Sequence, residues 1–184
     1  IIITSDKCYK NLEIKRGYNE NDKLGGDDPY SASKASAEII FNTYAKSFFN
    51  NQNKFGYATA RAGNVIGGGD WSKDRLIPDC IKSIIKKKKL MIRNPISTRP
   101  WQHVLEPISG YLLLAKFLYE KKHKYSGNWN FGPSPRETME VKKVTKLLLN
   151  FLGIDKKITK TRGSFKETIL LKLNSDKANK LLKW

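Results

Sequence analysis

The sequence contains few of the residues that build metal centres and disulfide frameworks. Its 184 residues include two cysteines, Cys8 and Cys80, and two histidines, His103 and His123. None of them forms a Cys-x-x-Cys or Cys/His cluster with the spacing of a zinc site. We therefore expect no metal site and no disulfide framework, and the low cysteine content fits a reducing, cytoplasmic environment.

Long apolar runs are also missing. The longest, residues 110–118, is shorter than the roughly 20 residues that a membrane-spanning helix needs, and Lys116 interrupts it. The chain opens on Ile1-Ile2-Ile3-Thr4, without an initiator Met and without the basic-then-apolar pattern of a signal peptide. We therefore expect no membrane partner, and a chain that starts inside a domain.

Acidic residues are outnumbered, since 35 Lys and Arg against 17 Asp and Glu give a net charge of +18. The densest basic run, residues 86–89, has no interleaved aromatic residues that could stack on bases, and the other lysines are scattered over separate segments. Such dispersed charge fits solvated helix faces, so we expect no nucleic-acid partner. A basic chain also suits an anionic substrate such as a nucleotide diphosphate.

Apolar strand-like segments alternate with amphipathic helix-like segments along the chain. Periodicity and turn residues predict strands at 1–4, 55–62, 90–92, 101–104, 127–131 and 169–173, and helices at 30–49, 76–87, 106–119, 141–152 and 175–182. Residues 5–28 and 64–74 are predicted as loops. This alternation indicates an α/β fold with a parallel sheet flanked by helices.

Tyr30 and Lys34 form the pair with the clearest chemical meaning. They are four residues apart on a predicted helix, so their side chains share one face. A tyrosine with a pKa of about 10 is a poor base at neutral pH, but a neighbouring ammonium favours the phenolate. The pattern alone also fits an ordinary surface pair, and its context gives it weight.

That context is a set of short strings in a fixed order. Thr4-Ser5-Asp6, Tyr30-x-x-x-Lys34 and Arg61-Ala62-Gly63-Asn64 together resemble the extended short-chain dehydrogenase/reductase family. Longer strings are similar to its CDP-glucose 4,6-dehydratase branch: TSDKCY at 4–9, LGGDDPY at 24–30, RAGNVIGGGDW at 61–71, DRLIPD at 74–79, RPWQHVLEP at 99–107 and NFGP at 130–133. The resemblance covers residues 1–184.

The resemblance implies a fold and partners. Residues 1–66 would be the carboxyl-terminal part of an NAD-binding Rossmann domain. Residues 67–184 would be mainly a small α/β lobe that binds a nucleotide sugar, with one or two elements returning to the Rossmann domain. NAD would be the cofactor, CDP-glucose the substrate, a homodimer the assembly, and deoxysugars of surface polysaccharide such as the lipopolysaccharide O-antigen the product class.

The resemblance also implies catalytic roles. Tyr30 would deprotonate the C4 hydroxyl of the sugar, and Lys34 would hold the nicotinamide ribose and lower the pKa of Tyr30. Ser5 would hydrogen-bond the C4 oxygen, and Asp6 would protonate the C6 oxygen as it leaves. Lys7 stands where the dTDP-sugar relatives have a glutamate base. It would act either as a neutral base at C5 or as a cation that stabilises the enolate.

The substrate-binding residues that the resemblance implies are Asn64 and Arg99 at the diphosphate, Asn130 in the nucleotide pocket, and Arg75 and Leu76 in a segment over the nucleotide. Each has a plain alternative, since Asn64 could cap a turn, Arg99 could pair with Glu106, and Asn130 could be an ordinary loop residue.

The Gly-x-x-Gly-x-x-Gly loop of dinucleotide-binding domains does not occur in the sequence. Residues 67–69 are three glycines, but they follow the wrong strand and have the wrong spacing. We therefore expect a piece of a longer dehydratase, inactive by itself. The alternatives are another extended short-chain enzyme, such as an epimerase or a dTDP- or GDP-sugar dehydratase, or a non-catalytic remnant that binds nucleotide. Asp6-Lys7 argues against an epimerase, which needs no acid for elimination.

Overall fold

A computed structural model describes residues 1–49, 56–134, 137–160 and 169–184. The strands are β1 (Ile2–Ile3), β2 (Ala58–Ala62), β3 (Val65–Ile66), β4 (Leu90–Ile92), β5 (Thr98–Arg99), β6 (Gln102–His103), β7 (Gly127–Phe131), β8 (Met139–Glu140) and β9 (Ile158–Lys160). The α-helices are α1 (Pro29–Phe48), α2 (Leu76–Ile85), α3 (Leu105–Lys121), α4 (Val141–Phe151) and α5 (Asp176–Leu182). Two 3₁₀ helices cover Asp6–Cys8 and Lys122–Tyr125.

A parallel sheet of order β1-β2-β7 organises the described residues. Its register sets Ile2 opposite Thr59 and Ala62 opposite Phe131. Because all three strands run in one direction, their carboxyl ends meet at a single edge, where ligands bind in open α/β sheets. β1 is an outer strand, and the side chains of Ile2 and Ile3 are exposed.

Helices cover both faces of this sheet because side chains alternate along β2. Ala58 and Ala60 face a core built with Leu114 and Leu118 of α3 and with residues of α5. Thr59 and Arg61 point to the other face, where both bond to a side chain of α1. β7 belongs to the segment after residue 66 and returns to this sheet.

Helix α1 begins where Asp28 caps it. The Asp28 carboxylate accepts hydrogen bonds from Ser31 N at 3.0 Å and from Ser31 Oγ at 2.6 Å, and Pro29 occupies the first turn, where it needs no N–H partner. A Cβ on Gly26 would lie 2.3 Å from Ser31 Cβ, so glycine is required for the preceding loop to pass this close. α1 packs against the Asp6–Cys8 turn.

The remaining elements form a smaller lobe. β4 pairs with β9 in parallel, and a core of Cys80, Leu90 and Leu149 joins α2 and α4 to this pair. β3 pairs with β6, and β5 pairs antiparallel with β8. In the part of the chain that the structure describes, no helix is long and apolar enough to cross a membrane. No group of three or more His, Cys, Asp or Glu that could hold a metal ion occurs among those residues either.

The predicted α/β class is confirmed, and all five helices lie within two residues of their predicted starts and ends. The predicted loop at 64–74 is partly wrong, because β3 pairs there with β6. The predicted strand at 169–173 is also wrong, since its residues form only the single bridges of Leu170 and Leu173. β5, β8 and β9 were not expected. Residue 55, the predicted start of the second strand, lies outside the described residues.

Candidate active site

Ser5, Asp6 and Lys7 lie directly beyond the carboxyl end of β1. Thr4 N donates to Ala60 O at 2.9 Å, so the pairing with β2 continues one residue past the strand. Ser5 then caps the 3₁₀ turn, its Oγ accepting a hydrogen bond from Lys7 N at 3.1 Å. These three of the five residues with predicted catalytic roles therefore lie at the edge of the sheet where open α/β sheets bind ligands.

Asp6 is a buried carboxyl with an open position. Its side chain is buried, and its Oδ2 has no hydrogen-bond partner among the residues that the structure describes. Burial raises the pKa of Asp6 from 3.8 to about 6, and the charges of Lys7 and Arg99 limit that rise. A carboxyl with such a pKa holds a proton in part of the population near neutral pH and can donate it, as a general acid must.

Gly63 gives the Asp6 carboxyl its room. A Cβ at residue 63 would lie 3.2 Å from Asp6 Oδ2 and 2.5 Å from Pro100 Cγ. Any side chain here would press on both the carboxyl and Pro100. The glycine between Arg61 and Asn64 is therefore required by close approach, which the sequence pattern did not reveal.

Tyr30 and Lys34 lie near the amino end of α1, the helix that packs against the Asp6–Cys8 turn. Tyr30 is 55% exposed, and Lys34 Nζ lies 5.6 Å from the centroid of its ring. The hydrogen bonds from Ser31 lower the pKa of Asp28, and the positive charge of Lys7 lowers it further. Lys7 is therefore close to the start of α1. The structure thus packs the Asp6–Cys8 turn against the helix that bears Tyr30 and Lys34.

Arg99 and Asn64 reach the same edge. The side chain of Arg99 is buried, its Nη1 donates to Thr98 O at 2.9 Å, and its charge acts on the Asp6 carboxyl. Asn64 is half-buried, and its carbonyl accepts from Gln102 N at 3.0 Å. Arg75 and Leu76 lie instead at the start of α2 in the smaller lobe, where exposed Arg75 pairs with Asp70 at 3.7 Å.

Asn130 is completely buried in β7, and its side-chain amide is engaged on both sides. Nδ2 donates to Tyr18 O at 2.9 Å and to Asn174 O at 3.1 Å. Oδ1 accepts a hydrogen bond from Tyr9 Oη at 2.8 Å. These contacts favour a structural role, and the contact of Asn130 with nucleotide stays a prediction.

Glu38 and Arg61 form a buried ion pair that sequence reasoning missed. Arg61 Nη2 lies 2.8 Å from Glu38 Oε2, and both side chains are fully buried. Burial alone raises the pKa of Glu38, but the hydrogen bonds and charge of Arg61 outweigh it and hold that pKa below its ordinary value. The sequence did contain a signal for this pair: Glu38 lies four residues after Lys34 on the same helix, and Arg61 is a charged residue within an otherwise uncharged strand.

Residues 1–132 match the NAD dependent epimerase/dehydratase family, and the chain belongs to that family. It is 47% identical over 187 residues to the CDP-glucose 4,6-dehydratase of Salmonella typhimurium, covering 99% of this chain and 52% of that protein. It is 29% identical over 115 residues to a dTDP-D-glucose 4,6-dehydratase of Dictyostelium discoideum, covering 62% of this chain and 25% of the relative. The chain therefore spans about half the length of the Salmonella protein and about a quarter of the length of the Dictyostelium protein.

Solved structures share the fold. A dTDP-glucose 4,6-dehydratase of Bacillus anthracis in complex with NAD superimposes with a TM-score of 0.82 at 23% identity, over 99% of this chain and 54% of that one. A UDP-N-acetylglucosamine 4-epimerase of Methanobrevibacter ruminantium gives 0.81 at 18% identity, over 100% of this chain and 56% of that one. Both likenesses confirm the extended short-chain dehydrogenase fold.

Proposed function

We propose that this chain carries the catalytic helix and the nucleotide-sugar lobe of an NAD-dependent CDP-glucose 4,6-dehydratase. The observation that carries the proposal is Asp6, a buried carboxyl with an open Oδ2 and a pKa of about 6, placed beside the helix of Tyr30 and Lys34. Elimination of water requires such an acid, whereas epimerisation does not. The 47% identity to the Salmonella CDP-glucose 4,6-dehydratase supports the same reading.

The residues of this chain fit the nicotinamide end of NAD. Tyr30 is half-exposed in the first turn of α1 with Lys34 one helical turn further on, and these two would hold the nicotinamide ribose. When bound, NAD would accept a hydride from C4 of the sugar and later return it to C6. The chain itself supplies the proton transfers that accompany these two events.

In the oxidation, Tyr30 takes the proton of the C4 hydroxyl while the C4–H bond breaks and a C4 ketone forms. The Lys34 cation favours the phenolate that this base requires. The Ser5 hydroxyl hydrogen-bonds the C4 oxygen as its bond to carbon gains double-bond character. The new ketone acidifies the C5 proton and so prepares the elimination.

In the elimination, the C5–H electron pair becomes the C5–C6 double bond, and the C6–O bond breaks. Asp6 gives its proton to that oxygen, which leaves as water. Lys7 either takes the C5 proton and returns it to C5 when C6 is reduced, or stays charged and stabilises the enolate oxygen while another group takes the C5 proton and returns it. Tyr30 ends with one proton more and Asp6 with one fewer, and exchange with solvent restores both.

The remaining parts of the proposal concern binding and setting. Asn64 and Arg99 hold the diphosphate, since a guanidinium grips phosphate oxygens in pairs. Arg75, Leu76 and Asn130 are assigned to the nucleotide. Residues 1–66 belong to the NAD-binding domain and 67–184 mainly to the sugar lobe. The enzyme acts as a cytoplasmic homodimer that supplies deoxysugars for surface polysaccharide such as O-antigen.

The test is turnover by the full-length protein with NAD. CDP-glucose, dTDP-glucose and UDP-glucose are incubated in parallel, and products are identified by mass spectrometry and NMR. We expect CDP-glucose to lose one water and give a 4-keto-6-deoxy sugar, with the other two converted far more slowly. A product of unchanged mass, such as CDP-galactose, would establish an epimerase instead. Preferred turnover of dTDP-glucose would contradict the cytidine assignment alone.

A further inference from the structure

We propose that Glu38 and Arg61 are positioning residues, whose buried ion pair fixes the Ser5–Asp6–Lys7 turn against the helix that bears Tyr30 and Lys34. This inference rests on the proposed function, because it concerns the geometry of the same site. Neither residue touches the substrate in the proposed mechanism. Their effect is exerted through Thr4 and Tyr9, the residues on either side of the turn.

The ion pair is bidentate and completely buried. Arg61 Nε donates to Glu38 Oε1 at 2.9 Å, and Arg61 Nη2 donates to Glu38 Oε2 at 2.8 Å. Two parallel bonds of this kind fix the relative orientation of the two side chains as well as their distance. Since Glu38 is in α1 and Arg61 in β2, the pair fixes the helix against the sheet.

The first link runs from Glu38 to the amino side of the turn. Thr4 Oγ1 donates to Glu38 Oε1, and Thr59 Oγ1 donates to Glu38 Oε2 at 2.8 Å. Each carboxylate oxygen therefore accepts two hydrogen bonds. Thr4 is the residue before Ser5, so the bond to Glu38 fixes the point at which the chain enters the turn.

The second link runs from Arg61 to the carboxyl side of the turn. Arg61 Nη1 donates to Tyr9 Oη at 2.7 Å, and its guanidinium lies 4.9 Å from the centroid of the Tyr9 ring. Tyr9 Oη in turn donates to Asn130 Oδ1 at 2.8 Å. Tyr9 follows Cys8, the last residue of the turn, so the chain is fixed again where it leaves.

Because Tyr30 is in the same helix as Glu38, fixing Glu38 also restricts the position of Tyr30, the proposed base. Tyr30, Lys34 and Glu38 are spaced by four residues and share one face of α1. A rotation or a shift of α1 that moved Tyr30 away from Asp6 would break the bonds of Glu38. A misplacement of about 1 Å among reacting groups can cost roughly 10²-fold in rate, so such fixation bears directly on kcat.

A buried ion pair is weak as an explanation of stability, since apolar residues of similar volume often replace such pairs without loss. The four hydrogen bonds that the Glu38 carboxylate accepts are better explained by a role in fixing the geometry of the site. Thr4 and Thr59 allow the stabilising and the positioning roles of Glu38 to be tested separately, because the hydroxyl of each donates one hydrogen bond to the Glu38 carboxylate. Thr4 adjoins the turn, whereas Thr59 lies within β2 and is not adjacent to the turn in the chain.

The experiment compares Thr4→Val with Thr59→Val in the full-length protein. Valine keeps the shape of threonine and removes the hydroxyl, so both variants lose one bond to Glu38. We expect Thr4→Val to lower kcat by about 10-fold with KM changed less than about 2-fold, and Thr59→Val to lower kcat less than about 2-fold. The rates are measured on whichever nucleotide sugar the wild type converts, which keeps the test independent of the cytidine assignment.

A second readout needs no activity. Hydrogen exchange of the amides of residues 5–9 should be faster in Thr4→Val than in wild type and unchanged in Thr59→Val. Equal losses of kcat in the two variants, or equal exchange in the 5–9 turn, would overturn the positioning role. A wild type that converts no nucleotide sugar refutes the proposed function, while the exchange experiment still decides whether Glu38 fixes the turn.

Discussion

Asp6 illustrates how the surroundings of one residue prepare it for chemistry. Within the described part of the chain its Oδ2 is buried without a hydrogen-bond partner, and burial raises the pKa of the Asp6 carboxyl to about 6. Ionised and buried in this way, the carboxyl destabilises the fold. The sequence could identify Asp6 only through the string around it, because burial and the space left by Gly63 arise from packing.

The first prediction concerns the stability cost of Asp6. The folded state holds its proton more tightly than the unfolded state, whose pKa is near 3.8, so stability falls as the pH rises from 3.8 through about 6. Asp6→Asn removes this cost. It should raise the free energy of unfolding at about pH 8 by up to about 3 kcal/mol, at about 1.4 kcal/mol per pKa unit.

Urea denaturation of wild type and Asp6→Asn at about pH 8 and about pH 3.5 measures the effect. The gain should vanish at the lower pH, where the wild-type carboxyl is protonated in both states. A gain of the same size at both pH values would show that the Asp6 charge is not its cause. In turnover, the same variant should form reduced nicotinamide and a 4-keto sugar but release no water.

The second prediction concerns Tyr30. If the proposed function holds, Tyr30→Phe in the full-length protein should lower kcat by roughly 10²-fold or more and leave the affinity for CDP-glucose nearly unchanged, because the proposed role of the phenol is proton transfer. Stopped-flow absorbance of reduced nicotinamide measures the first oxidation. Retention of more than about a tenth of wild-type turnover would remove Tyr30 from the role of base.

Among the elements, α1 and β2 show which parts of the site could be predicted. α1 was predicted from its period and from Pro29, because a long amphipathic helix repeats its signal over many turns. The two-residue pairing of β3 with β6 gave no such signal, since two residues cannot display a period. The Glu38–Arg61 pair was missed for a different reason. Only the folding of α1 onto the sheet makes them neighbours, although they are 23 residues apart in the sequence.

The third prediction tests the start of α1. Asp28→Ala removes the carboxylate that accepts from Ser31 N and Oγ, and should lower the free energy of unfolding by about 1 kcal/mol at neutral pH. Asp27→Ala is the matched control, since Asp27 is an exposed neighbour that pairs only with the flexible Lys10 in the described contacts. Thermal or urea unfolding of both variants measures the difference. Equal effects would argue against the cap.

The fourth prediction tests the ion pair between elements. Glu38→Gln leaves the buried Arg61 guanidinium without its counter-charge and should destabilise the fold by about 3–5 kcal/mol at neutral pH. Because the folded pKa of Glu38 is depressed, its contribution is present above the unfolded pKa of 4.5 and is lost as the pH falls through the folded pKa. Denaturation across this range should show the two proteins converge in acid.

For the molecule as a whole, the family and the α/β class could be predicted because they depend on strings and alternation spread over the entire chain. The chain contains the Tyr30–Lys34 pair but no Gly-x-x-Gly-x-x-Gly loop. Such a loop, at the amino end of a helix, supplies much of the affinity for dinucleotide phosphates. In the proposed function, the Tyr30–Lys34 pair and such a loop therefore make separable contributions to NAD binding.

The fifth prediction follows from this separation. The isolated 184-residue chain should bind NAD weakly, with a dissociation constant well above the micromolar range, whereas the full-length protein should bind it tightly. Isothermal titration calorimetry of both proteins with NAD measures the difference. Micromolar binding by the isolated chain would mean that its own residues suffice.

The outer position of β1 has a consequence for handling the isolated chain. One side of this strand pairs with β2. On the other side no strand pairs with it among the described residues, and three exposed isoleucines, Ile1, Ile2 and Ile3, lie beside its backbone. An open, apolar strand edge is a template on which another strand can add. Aggregation of the isolated chain should therefore start at this edge, and Ile2→Lys should reduce it, because a charged side chain on an edge strand opposes the addition of another strand.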